Sequence, residues 1–126
     1  MATSPHVFDA DDASFDQLVV ERSHQVPIVI DFWAPWCAPC RTLAPVLERL
    51  IDERGGAILL AKVNVDECPE LASAFRVEGI PAVKAIRSGQ LVLQFEGVLP
   101  EAQLKEFLDR LMPTEIEQQA KRALEL

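Results

Sequence analysis

The chain is poor in positive charge. Lysine and arginine number 12 against 20 aspartates and glutamates, a formal net charge of −8 over 126 residues. That balance argues against nucleic acid or an anionic membrane as the main partner. No apolar run approaches transmembrane length. The first dozen residues, Met1 to Asp12, have neither a basic stretch nor an apolar core, so they do not read as a secretory signal. Cysteine is scarce and its count of 3 is odd, which excludes a disulfide-stapled secreted scaffold. The expected compartment is therefore a reducing cytoplasm. With 49% hydrophobic and 25% charged residues, what remains is an ordinary globular composition. The length suits one domain with a real core and leaves little room for more.

Apolar periodicity alternates along the chain. His6 to Phe8 reads as a weak edge strand. Ser14 is a candidate N-cap for a helix to about His24, with Phe15, Leu18 and Val19 on one face. Val26 to Trp33 is nearly all apolar and β-branched, the pattern of a strand buried on both faces. A helix follows from Cys37 to about Arg54, with Leu43, Val46, Leu47, Leu50 and Ile51 at helical spacing. Pro45 interrupts it, and Gly55-Gly56 ends it. Ala57 to Val65 is a strand, and Pro69 opens a short helix through Phe75. Ala82–Arg87 and Leu91–Phe95 form a hairpin around Ser88-Gly89, with glycine supplying positive φ. Pro100 to Leu111 is a helix with Leu104, Leu108 and Leu111 inward. The order β-α-β-α-β-α-β-β-α predicts an α/β fold with a central mixed sheet and helices on both faces.

Two cysteines, Cys37 and Cys40, stand where the buried strand gives way to the helix. A Cys-X-X-Cys pair can be a redox centre or half of a zinc site. Zinc needs about four ligands, and beyond the pair only Cys68, His6 and His24 remain, with no second pair at zinc spacing. Covalent haem attachment needs a histidine after the second cysteine, and Arg41 is there instead. The strand-to-helix context favours redox chemistry. Cys37 is the expected nucleophile, because only a thiolate attacks a disulfide. A helix N-terminus favours its anion, Arg41 adds a cation, and Cys40 sits one turn on as the resolving thiol. Pro39 fits the early helix. Cys68 lies among Asp66, Glu67 and Glu70, whose charge disfavours a thiolate.

The run Asp31-Phe-Trp-Ala-Pro-Trp-Cys-Ala-Pro-Cys40, followed by Gly79-Ile80-Pro81, Gly89 and Gly97, resembles the thioredoxin family over about residues 6 to 112. The resemblance implies the thioredoxin fold and dithiol–disulfide exchange on protein substrates, with Cys37 and Cys40 as the redox disulfide. By position it implies that Asp31 is a buried carboxylate trading a proton with Cys40. Lys62 is the lysine that moderates that carboxylate, and Pro81 is a cis-proline facing the disulfide. Trp36, Gly79, Ile80 and Gly97 form the rim of a substrate groove beside it. It implies no cofactor and no metal. The implied partners are disulfide-containing or unfolded proteins and a thioredoxin reductase-type electron donor. Three positions depart from the family pattern: Ala38 replaces a glycine, Ala82 follows Pro81 where threonine is common, and Glu96 precedes Gly97. Lys84 interrupts an expected central strand. Either it snorkels to an edge or its face carries a partner contact.

Residues 113–126 are a separate extension. Pro113 stops the preceding helix, and Thr114 to Glu117 is a capping-box pattern. Ile116, Ala120, Ala123 and Leu124 then share a face. The stretch from Phe95 to Pro113 and the new helix resemble the thioredoxin domain of the thioredoxin–TPR co-chaperones, the chaperedoxins, which can hand clients to a chaperonin. No complete helical repeat is visible. The extension either docks on its own domain or begins a helical-repeat domain. The expected function is a protein disulfide reductase. The alternative is a co-chaperone module that binds unfolded clients or a chaperonin and protects client thiols.

Overall fold

A computed structural model describes residues 4–113 together with 117, 120, 123 and 124. Five strands form one mixed sheet in the order β1-β3-β2-β4-β5. They are β1 Val7–Asp9, β2 Ile28–Trp33, β3 Leu59–Asn64, β4 Ala82–Arg87 and β5 Gln90–Glu96. β1 and β2 run parallel to β3, and β4 and β5 are antiparallel additions. The helices are α1 Ala38–Asp52, α2 Pro69–Ala74 and α3 Glu101–Leu111.

β2 is central, which explains its unbroken apolar run: both faces are covered. On one face Val29, Leu60 and Val83 pack under Leu43, Leu47 and Leu50 of α1 and Leu104 and Leu108 of α3. On the other Ile28, Ile30 and Phe32 pack against Phe15 and Val19, with Leu71 and Phe75 at the margin. α1 passes through Pro45 without a break.

The first helical segment departs from expectation at its cap. Ser14 does not cap its own helix. Asp11 Oδ1 accepts the Ser14 N–H at 2.8 Å, and Ser14 Oγ accepts the Asp11 N–H at 3.0 Å. This is a reciprocal capping box with Asp11 in the N-cap place. The segment then winds as a π-helix over Asp16–Glu21 and a 3₁₀ turn over Arg22–His24.

The β4–β5 hairpin also needs more than its glycine. Ser88 has φ +53° and Gly89 φ +75°, because a two-residue type I′ loop requires positive φ at both central positions. Ser88 is held there by buried Ser23. The Ser88 N–H donates to Ser23 O at 2.8 Å, and the Gly89 N–H donates to Ser23 Oγ at 2.8 Å.

Lys84 does lie in a strand with buried neighbours on both sides. It is 6% exposed, and its Nζ donates to Gln94 Oε1 on β5 at 2.8 Å. Gln94 is exposed, so the amine reaches the sheet's rim while the stem stays inside. Glu117, Ala120, Ala123 and Leu124 are helical and exposed. The cap expected at Thr114 and the apolar Ile116 lie outside the described residues.

Candidate active site

β2 ends at Trp33, and a short turn delivers Cys37 to the N-cap of α1. Pro39 falls in the first turn of the helix, where no N–H donor is needed. Cys37 and Cys40 are joined as a disulfide with a Cα–Cα separation of 5.3 Å. The Cys40 N–H points at Cys37 Sγ at 3.2 Å. This free donor at a helix start stabilises negative charge on that sulfur once it is reduced. Arg41 is at the rim, its guanidinium donating to the Pro35 carbonyl at 2.6 Å. It braces the loop before Cys37.

The loop before β4 faces the disulfide. Ile80–Pro81 is cis, and the Ile80 carbonyl oxygen lies 3.8 Å from Cys37 Sγ. Trp36, Gly79 and Ile80 line a groove of about 290 Å³ with Val65, Ala72, Val77 and Glu78. Trp36 is 67% exposed and is steadied by Asp66, whose Oδ2 accepts its indole N–H at 3.0 Å. Gly97 takes φ +80° and its N–H donates to the Pro81 carbonyl at 2.8 Å, so it is tied directly to the cis-proline. Glu96 lines a different cavity, beside Lys84 and Gln94.

Asp31 is 1% exposed on β2, and among the described residues neither carboxylate oxygen has a hydrogen-bond partner. Burial pushes its pKa up to about 6, Lys62 pulls against that shift, and Glu48 adds to it. Lys62 is the registered neighbour of Asp31 on β3, yet its Nζ sits 2.9 Å from Glu48 Oε2 on α1. The same amine lies 5.2 Å from the centre of the Trp33 ring. Cys68 lines a cavity with Lys62 and Trp33. It is free and buried, and burial, then Asp12, Asp11 and Glu67, raise its thiol pKa. The acids around it come partly from the loop after β1, not only from its sequence neighbours.

The fold brings together Cys37, Cys40, Ile80 and Pro81, sets Trp36 and Gly79 beside Ile80 in the groove, and pairs Asp31 with Lys62 in the sheet. Glu48 and Asp66 join these residues without having been expected from the sequence. Each works on a residue far along the chain, Glu48 on Lys62 14 positions away and Asp66 on Trp36 30 positions away. No local pattern marks either.

A disulfide at the N-terminus of a helix, opposite a proline loop in a five-stranded mixed sheet, defines a dithiol–disulfide oxidoreductase. The particular family follows from comparison. The thioredoxin family model matches residues 6–110. The thioredoxin of Haemophilus influenzae is 40% identical over 104 residues, covering 82% of this chain and 95% of that protein. Probable thioredoxin-2 of Caenorhabditis elegans is 40% identical over 107 residues, 84% of this chain and 72% of that one. Thioredoxin 1 of Synechococcus elongatus is 39% identical over 99 residues, 79% and 91% of the two chains. The chain belongs to the thioredoxin family and is a disulfide reductase of thioredoxin type. Disulfide-bearing proteins as substrates and a reductase as electron source come with that family. Among the described residues no helix is long and apolar enough to cross a membrane.

Proposed function

We propose that Cys37 attacks, Cys40 resolves and Asp31 handles the proton. The carrying observation is the Cys40 N–H aimed at Cys37 Sγ from the first turn of α1. In the reduced protein the Cys37 thiolate attacks a substrate disulfide. A Cys37–substrate bond forms and one substrate thiolate leaves. Cys40 then gives its proton to the Asp31 carboxylate, and its sulfur attacks Cys37 Sγ. The mixed disulfide breaks, the second substrate thiolate leaves, and the Cys37–Cys40 disulfide remains. Two electrons have passed to the substrate, and a reductase returns them to the pair. A carboxyl with a pKa near 6 exchanges its proton near neutral pH. Trp36, Gly79, Ile80 and Pro81 hold an extended substrate segment beside the disulfide, in the manner of strand addition. Lys62, Pro39 and Arg41 support the site without touching substrate, and Gly97 fixes Pro81.

The test is reduction of insulin by a small dithiol. Catalysis is expected from the wild type and loss to background from Cys37→Ser. Cys40→Ser is expected to accumulate the mixed disulfide. Equal rates for wild type and Cys37→Ser overturn the assignment.

A second reading places the same domain in a cytoplasmic co-chaperone, with residues 113–126 leading towards a helical domain and clients passed to a chaperonin. Glu117 lines a cavity with Ser23, His24, Arg87 and Leu111 of the domain, whereas the helical residues Ala120, Ala123 and Leu124, the last 88% exposed, leave an apolar surface that supports this reading. Co-purification of a chaperonin with the full natural reading frame is the expected result. A stop codon after Leu126 removes this reading and leaves the reductase intact.

A further inference from the structure

Lys62 stands beside Asp31 in the sheet, on the same face and in register. A buried carboxylate with an adjacent lysine ordinarily captures it, and the pair then holds the carboxylate ionised. Here the capture has gone elsewhere. The Lys62 amine is bound to Glu48 at 2.9 Å, and among the described residues both Asp31 oxygens are left without a partner. The Glu48 side chain is 26% exposed where Asp31 is sealed.

We infer that Glu48 is a positioning residue of this site: by holding the Lys62 amine away from Asp31 it keeps the buried carboxylate unpaired and able to exchange a proton. Its own negative charge acts in the same direction, because it opposes ionisation of Asp31. The other groups around the cluster are few. β1 contributes Asp9, in register with Lys62. β2 contributes Trp33, whose ring flanks the amine. β4 offers Val83 opposite Asp31. α1 brings Cys40 as well as Glu48, and α3 turns apolar side chains, Leu104 and Leu108, to this layer. Asp9, Asp11 and Glu67 share a cavity with Lys62 and Trp33 and are rival carboxylates for the amine, yet among the described residues its ion pair is with Glu48.

The inference rests on Asp31 as proton acceptor for its catalytic meaning but not for its test. The carboxyl of Asp31 is titrated by NMR in the oxidised wild type, Glu48→Gln, Asp9→Asn, Lys62→Met and the Glu48→Gln/Lys62→Met double variant. The midpoint is expected to fall by roughly 1 unit in Glu48→Gln, to rise in Lys62→Met, and to move less in Asp9→Asn. In the double variant the Glu48→Gln drop should shrink, because the freed amine is gone. An unmoved midpoint in Glu48→Gln, or an equal shift in Asp9→Asn, overturns the inference. A purely structural Glu48 would lower melting temperature and leave the titration unchanged. The catalytic arm is separate. Resolution of the mixed disulfide, followed by stopped flow, should shift its pH midpoint down with that of Asp31 in Glu48→Gln. A pH-independent rate in the wild type would sink the proton-acceptor assignment while leaving the titration result standing.

Discussion

Asp31 and Lys84 stand on neighbouring strands of one sheet, on opposite faces, and both are nearly sealed from water. Their treatment differs. Lys84 reaches along its own stem to an exposed amide at the sheet's rim, so its charge ends next to solvent. Asp31 has no such partner: among the described residues no donor reaches either oxygen, and its registered neighbour Lys62 is tied to Glu48. Ser23, the other buried polar side chain among the described residues, is satisfied twice. It donates to Val20 O at 2.6 Å and accepts from the Gly89 N–H at 2.8 Å. Buried polar groups are normally paired. Among the described residues the buried atoms without a partner are the two Asp31 oxygens, Trp33 Nε1 and Arg54 Nε; of these groups Asp31 alone is an acid sealed in the layer beneath the redox pair, while Lys84 and Ser23 hold the sheet and a turn. The difference separates a group kept reactive at a cost to stability from groups that contribute to it.

The largest effect expected of that contrast comes from Asp31→Asn. The folded carboxyl has a pKa near 6 against 3.8 for an unburied one. Asp31 therefore binds its proton more tightly in the folded chain than in the unfolded chain. Its ionisation costs nothing below pH about 3.8, costs progressively more up to about 6, and is a constant penalty above that. At about 1.36 kcal/mol per unit the penalty is roughly 3 kcal/mol. Asp31→Asn should be more stable than wild type by about that amount at pH 8 and nearly equal to it at pH 4, while its disulfide exchange slows. Urea unfolding at the two pH values measures this. An equal difference at both would show that Asp31 is ionised and compensated in the fold.

Ser23 should answer in the opposite direction. Ser23→Ala strips the Gly89 N–H of its partner and loosens a turn in which Ser88 already holds φ +53°. The expected loss is about 1.5 kcal/mol, within the range for deleting one side of a hydrogen bond, and it should not vary between pH 4 and 8. A stabilised Ser23→Ala would break the division between paired and unpaired groups.

Most of the architecture was legible in the chain. The run from Ile28 to Trp33, the stripe of α1 and the β4–β5 hairpin each carry a strong local period, and each element formed where that period placed it. The redox pair and the proline loop were legible because their residues are contiguous in sequence. What was not legible is what depends on contacts between distant segments. The Asp11 carboxylate and the Ser14 hydroxyl both suit an N-cap, and only the folded loop decides between them. Ser23 became a turn anchor because the 3₁₀ segment passes under Ser88-Gly89, 66 positions along the chain from Ser23 to Gly89. The pairing of Lys62 with Glu48 is of the same kind: register puts the lysine beside Asp31, and the helix above takes it away.

The smallest expected effect is at Lys84, and it asks whether the amine is served by Gln94 or by water. Gln94→Leu removes the one protein acceptor within reach of Nζ among the described residues. Because Gln94 is exposed, water can occupy its place, so the expected cost is about 1 kcal/mol rather than the larger penalty of a stranded buried charge. Lys84→Met removes the charge and keeps the stem's packing. In that background Gln94→Leu should cost almost nothing, and the cycle should return a coupling of about 1 kcal/mol. A much larger single-variant loss would mean that Lys84 is as isolated as Asp31. In that case a stranded ionisable group is not special to the redox face, and the sheet carries one on each side.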